Sequence, residues 1–268
     1  MEYDVKEIQK KILTIYEVFK SICEKNNLSY FAIGGTCLGA VRHGGFIPWD
    51  DDMDVAMPRE DYEKFKEIAK VEFPEQYELY DIYMGEHYIS YFCKMMDKNT
   101  TFVEEGMKKY KDMYFGFFLD IMPLDGIPNN KIVRKIHFAK MKVYRALDMR
   151  RKYNNYKLLN VFPCHYFQKR YESLQKKYRF KESEDLSYTW SARRDKVIFS
   201  RSCFDGYVEM PFEDTTVRCP VGYDEFLKAV FGDYMLLPPK EAQTCVHKLD
   251  IIDFNKPYRS YWVNEGES

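Results

Sequence analysis

Nowhere in these 268 residues is there a run approaching the ~18–20 consecutive apolar side chains of a membrane-spanning helix, so no transmembrane anchor is expected. The opening MEYDVKEIQKK is charged and leads straight into an amphipathic pattern, so a signal peptide is not expected either. Seven cysteines (23, 37, 93, 164, 203, 219 and 245) form no C-x-x-C pair and are odd in number. That argues against a disulfide framework and a zinc ribbon, and for reduced thiols in a cytoplasmic protein. There is no internal repeat, long linker or low-complexity segment. Net charge is also lacking, at −1, and with no recognition module in view no nucleic-acid partner is expected.

What is present is ample core material, 46% hydrophobic against 31% charged, which marks a globular chain. The charge is unevenly placed. Of 41 Lys and Arg, 16 fall between Lys131 and Lys181, against 2 of the 42 Asp and Glu. One face is therefore expected to meet something anionic; of a phosphorylated substrate, an anionic membrane and a nucleic acid, the last is set aside for want of a recognition module. The expected organisation is a catalytic core over 1–130, a basic helical annex over 131–181, and a C-terminal part over 182–268 packing on the core.

The densest chemistry lies in YFAIGGTCLGAVRHGGFIPWDDDMDVAM, residues 30–57. An apolar strand over 28–33 ends in Gly34-Gly35, where the backbone can turn sharply and approach a ligand closely. Thr36 opens a short helix to Arg42, whose first N–H groups suit a phosphate. A second strand then carries Asp50, Asp52 and Asp54 on one face. Carboxylates so placed repel one another unless a divalent cation intervenes. An all-oxygen set without His or Cys points to Mg²⁺ or Mn²⁺. A solvated acidic turn fits less well, because apolar residues flank the run on both sides. A calcium loop fails outright, with Val55 and Asp61 where it needs Gly and Glu. A bare D-x-D of the sugar-transferase kind lacks the Gly-Gly-Thr element.

Around this motif, residues 4–26 read as a helix with an Asp4/Glu7 N-terminal pair and an apolar stripe from Val5 to Ile22. Pro58 opens a helix to about Val71. Strands are expected over 77–84, 88–97 and 114–122. Lys94, inside an apolar strand, faces either a phosphate or, on an edge strand, water. Asp120, between Leu119 and Ile121, is paired, metal-bound or a base, and it best completes a site with Asp52 and Asp54. Asp125 reads as a turn residue. Arg42 either holds a phosphate or complements the helix dipole. Helices are expected over 131–152, with Ile132, Ile136, Ala139, Val143 and Leu147 along one face, over 157–179 with a break near Pro163, and over 223–231. Residues 190–204 carry no clear pattern.

GGTCLGAVRHGGFIPWDDDMDVAMPREDY (34–62), FFLDIMPLDGIP (117–128), MPFED (210–214) and FGDYMLLPP (231–239) together resemble the LicD family of the polymerase-β-like nucleotidyltransferase superfamily. The resemblance implies an α+β fold, with a nucleotidyltransferase-like mixed sheet core flanked by helices. It also implies a substituted phosphate, most familiarly phosphocholine from CDP-choline, passed to a hydroxyl of a lipopolysaccharide or teichoic-acid precursor. Donors carrying phosphoglycerol, phosphoethanolamine or ribitol phosphate occur in related members. Carried over, Asp52, Asp54 and Asp120 are catalytic metal ligands, while Gly34, Gly35 and Thr36 cradle phosphate. Arg42, Lys94 and His247 are further substrate-binding candidates. A cytoplasmic enzyme with a glycan or lipid-linked acceptor is implied, and the basic 131–181 segment is expected to dock either on anionic lipid at the inner membrane face or on the acceptor.

Overall fold

The computed structural model describes residues 3–88, 90–153, 156–191, 197–245 and 247–262. It opens with α1 (Val5–Lys25), β1 (Phe31–Ala32), α2 (Gly34–His43), β2 (Asp54–Pro58) and α3 (Arg59–Glu72). Then come β3 (Tyr77–Tyr80), β4 (Cys93–Asp97), β5 (Thr101–Glu104) and β6 (Phe117–Leu124). Helices α4 (Lys131–Tyr153) and α5 (Tyr166–Gln175) follow, bridged by a 3-10 turn at Lys157–Val161. The rest comprises β7 (Asp185–Ser187), β8 (Ile198–Ser200), β9 (Tyr207–Phe212), β10 (Thr215–Pro220), α6 (Tyr223–Phe231) and β11 (Leu249–Asp253).

The main sheet runs β1–β2–β6–β4–β3. Only β2 and β6 pair in parallel; the other neighbours are antiparallel. With helices packed against it, this is a mixed-sheet α+β fold, as expected. All eight residues of β6 are buried, which is why FFLDIMPL is apolar at nearly every position and why Asp120 stands out in it. Helix α1 lays Ile8, Ile12, Ile15, Phe19 and Ile22 against the sheet, touching β6 and β4. Asp4 caps it by accepting from the Lys6 N–H at 2.8 Å.

Several boundaries differ from the sequence reading. The strand expected over 28–33 shrinks to Phe31–Ala32, and α2 starts two residues early, at Gly34. The carboxylate strand begins only at Asp54. Before it, the Gln9 amide of α1 donates to the carbonyls of Ile47 and Asp50, at 3.3 and 2.9 Å. Those carbonyls are thereby tied to a helix instead of a neighbouring strand. Strands β3 and β4 are shorter than expected, and the break near Pro163 is present. Residues 192–196, within the stretch that carried no clear pattern, lie outside the described residues.

Asp125 is not a surface turn residue. It is 1% exposed and clamped by Arg59, whose Nε donates to Oδ1 at 2.8 Å and Nη2 to Oδ2 at 2.5 Å. Thr189 adds a third hydrogen bond at 3.2 Å. The apolar stripe of α4 faces outward. Ile132, Ile136 and Val143 are 71%, 52% and 56% exposed, while Phe138 and Met141 pack inward.

The two later motif segments brace the first. At the β9–β10 hairpin tip, Glu213 accepts from the Phe46 N–H at 2.9 Å and donates its own N–H to the Gly44 carbonyl at 3.0 Å. A side chain on Gly45 would run into the Glu213 carboxylate. Arg42, in the last turn of α2, donates to the carbonyls of Tyr234 and Leu236, at 2.8 and 3.3 Å. The turn between α2 and the carboxylates is thus held from both sides.

Candidate active site

Sheet register assembles the site. Asp54 on β2 is the direct partner of Asp120 on β6, and Asp120 in turn is the partner of Lys94 on β4. Paired residues on adjacent strands share a face, so two carboxylates and an ammonium form a row across three strands. Lys94 Nζ stands 2.8 Å from Asp120 Oδ1 and lies over the Phe118 ring. Of the two sequence readings of Lys94, the water-facing edge is corrected, because β4 is interior, and a carboxylate, Asp120, is its partner in the sheet.

The start of α2 faces this row. Gly34 has φ of +53°, and a Cβ there would lie 2.9 Å from Asp54 Oδ2. At Gly35 a Cβ would lie 2.4 Å from Asp50 Oδ2. The glycine pair is therefore required by how closely the carboxylates approach the helix end. The Thr36 hydroxyl accepts from the Asp54 N–H at 2.8 Å, so its oxygen fixes the first residue of β2 besides any contact with a phosphate. Arg42 has partners the sequence did not show: its Nη1 donates to the carbonyls of Tyr234 and Leu236.

Strand-like alternation still sorts the aspartates, although Asp50–Met53 is not a strand. Asp50 and Asp52 join the cluster with Asp54 and Asp120, while Asp51 turns the other way. Burial pushes the Asp54 carboxyl well above its ordinary range, and the charges of Asp52, Asp120 and Asp50 push it further, against the pull of Lys94. Asp50 and Asp52 are raised too, again chiefly by burial. Burial also raises Asp120, with Lys94 and His247 offsetting part of the rise.

Asp51 is fully buried and bonds His247 Nδ1 through Oδ1 at 2.9 Å. Burial alone would lower the imidazole pKa. The Asp51 hydrogen bond and the charges of Asp52, Asp51 and Glu104 outweigh it and lift His247 to about 9, from 6.5. The stability this pair contributes is fully present below pH 6.5 and is lost as pH rises through about 9. Replacing His247 with Gln should therefore flatten the fall in melting temperature between pH 7 and 9.5, a result that thermal melts across that range would reveal. An unchanged slope would show that the pair does not carry the effect.

Two members of the site had little or no signal in the sequence. Asp50 was visible in the pattern but not among the three expected acids. Tyr188 was not visible at all. Its hydroxyl is buried by Gly34 and Asp54, and burial, then the charges of Asp54 and Cys37, raise its pKa well above the ordinary value.

The donor set suits a hard divalent cation. Four carboxylates face one lysine and one histidine, and the histidine is already bound to a fifth carboxylate, so positive charge is deficient. Among the described residues no three His, Cys, Asp or Glu side chains form a ready-made metal cage.

Residues 27–117 match the family model described as LicD/FKTN/FKRP, nucleotidyltransferase domain. Over 264 residues the chain is 32% identical to the lipopolysaccharide cholinephosphotransferase LicD of Haemophilus influenzae, covering 91% of this chain and 96% of that one. The chain belongs to the LicD family. Uncharacterised proteins of Rickettsia typhi and Rickettsia prowazekii are 33% and 30% identical over about half of this chain. The LicD family model spans α2 and β2 and ends where β6 begins, so Asp120 and His247 lie beyond it. Here they are tied to the site by strand pairing and by Asp51.

Proposed function

We propose that this protein is a metal-dependent phosphotransferase that moves phosphocholine from CDP-choline to a hydroxyl of a lipopolysaccharide or teichoic-acid precursor, releasing CMP. The carrying observation is the row Asp54–Asp120–Lys94 facing the glycine-opened start of α2. Similarity to a cholinephosphotransferase along nearly the whole chain supports the reaction class.

Asp52 and Asp54 would hold Mg²⁺ or Mn²⁺, with Asp120 beside them. A bound divalent cation supplies charge neutralisation for the donor diphosphate and the departing nucleotide. The remaining work falls to the chain. The first-turn N–H groups of α2 have no intrahelical partner, and the glycines that carry them lie against the carboxylates, so these groups bind and orient phosphate oxygens. Asp120, its pKa raised by burial, accepts the proton of the acceptor hydroxyl. Lys94 keeps Asp120 in place and adds positive charge near the phosphate. The imidazolium of His247, fixed by Asp51, adds a second positive charge.

CMP release from CDP-choline with a glycan-precursor extract, measured with Mg²⁺, with EDTA and with Asp52→Asn, tests this reading. Metal-dependent release that the variant lacks is the expected result. CMP from CDP-glycerol, CDP-ethanolamine or CDP-ribitol alone would replace the headgroup. Pyrophosphate from a nucleoside triphosphate, without CMP, would overturn the reading in favour of a strict nucleotidyltransferase, the domain type in the family description.

A further inference from the structure

Helix α4 is amphipathic in the wrong direction for a core helix. At 100° per residue, Ile132, Ile136, Ala139, Val143 and Ala146 form one stripe about 21 Å long, and all five are exposed. Lys135 and Lys142 flank it on one side and Lys140 on the other, with Arg150 prolonging its line, all exposed. The adjoining 3-10 turn adds Leu158 and Val161, 74% and 80% exposed. Between residues 131 and 171 the only acidic side chain is Asp148, which is buried and ion-paired to Lys152. An exposed apolar ridge of this size on a folded domain marks a surface that something covers.

From this we infer that the outer face of α4 docks on a lipid bilayer containing anionic phospholipid, with the aliphatic ridge at the level of the acyl boundary and the lysines on the headgroups. Charge selects the occupant. A second copy meeting the same face would set lysines against lysines. The longest stretches of this sequence outside the described residues, ARRDK and VNEGES, are polar and offer no apolar cover. An anionic bilayer complements both the ridge and its basic borders. No helix among the described residues is long and apolar enough to cross a membrane, so α4 lies along the surface. The inference stands apart from the proposed transferase chemistry.

Co-sedimentation of the full chain with phosphatidylglycerol/phosphatidylcholine vesicles, against phosphatidylcholine alone, tests it. Binding is expected only with the anionic lipid, weakening as salt rises. Lys135→Glu with Lys140→Glu should lower partitioning by about 30-fold or more, taking about 1 kcal/mol for each basic residue at such a surface. Ile136→Asp should lower it by about tenfold or more. Both changes are at exposed positions, so melting temperatures should stay close to that of the parent protein. Equal binding to neutral vesicles would overturn the inference, as would variants that bind like the parent. So would a parent dimer that Ile136→Asp converts to monomer, which would make a second copy the occupant.

Discussion

Asp54→Asn should abolish transfer and, without metal, make the protein more stable. Asp54 sits against Gly34 with Asp52, Asp120 and Asp50 as like-charged neighbours. Asparagine keeps the shape and removes a repulsive charge. Losing the metal ligand proposed at this position costs several kcal/mol of transition-state stabilisation, on the order of 10³-fold in rate. The stability effect has a definite pH dependence. The folded-state pKa lies above the ordinary 3.8, so below that value neither state is charged and the variant gains nothing. As pH rises past 3.8 the unfolded chain ionises freely while the folded cluster resists, and the parent protein loses stability that the variant keeps. In EDTA at pH 8 the variant should melt higher, by about 2–4 °C for each kcal/mol relieved, and the gap should narrow at pH 5. Millimolar Mg²⁺ should raise the parent's melting temperature and leave the variant's unchanged. Transfer within tenfold of the parent, or a lower melting temperature in EDTA, would remove Asp54 from the role given to it.

The other large effect is structural. Asp125→Ala should cost about 3–5 kcal/mol, because it strands Arg59, only 13% exposed, with its fork unfilled. Glu63 touches Arg59 at 3.1 Å but is more exposed and reaches a single guanidinium nitrogen. Thr189 loses its acceptor as well. A fall of roughly 6–20 °C in melting temperature follows. Replacing both partners, Arg59→Met with Asp125→Leu, should recover much of the loss, since a buried pair exchanged for apolar groups is often close to neutral. Denaturant melts of the three variants decide it. A single variant within about 1 kcal/mol of the parent would mean that the pair is solvated in solution.

The two results separate what was legible in the sequence from what was not. The glycine pair and the alternating aspartates announce themselves because their signal is local, a turn beside a period of two. Asp120 was legible because a carboxylate in so apolar a strand demands a partner. Lys94 was not, since edge and interior strands look alike until the strand order is known, and that order places β6 beside β4. The carbonyl partners of Arg42 were hidden for a related reason: they lie at Tyr234 and Leu236, far down the chain. Asp125 sits in a P-L-D-G stretch that is a fair turn signal, but its clamp comes from Arg59 on another element. The α4 stripe shows the limit most clearly. Periodicity located the face correctly and carried no information about which way it points.

The parallel pairing of β2 with β6 also governs when the site can come into being. Strands joined in parallel need a long connection, here the whole of α3, β3, β4 and β5. Asp54 leaves the ribosome early, but Asp120 and Lys94 cannot line up with it until β6 has been made and threaded between β2 and β4. A nascent chain therefore holds its aspartates apart, solvated and without the lowered dielectric that sharpens their affinity. Closing that long loop is the slow kind of step in folding. A one-residue slip of β6 would turn Asp120 to the opposite face. Recovery of activity after refolding therefore reports on correct threading of the central strand, and misthreaded chains remain inert.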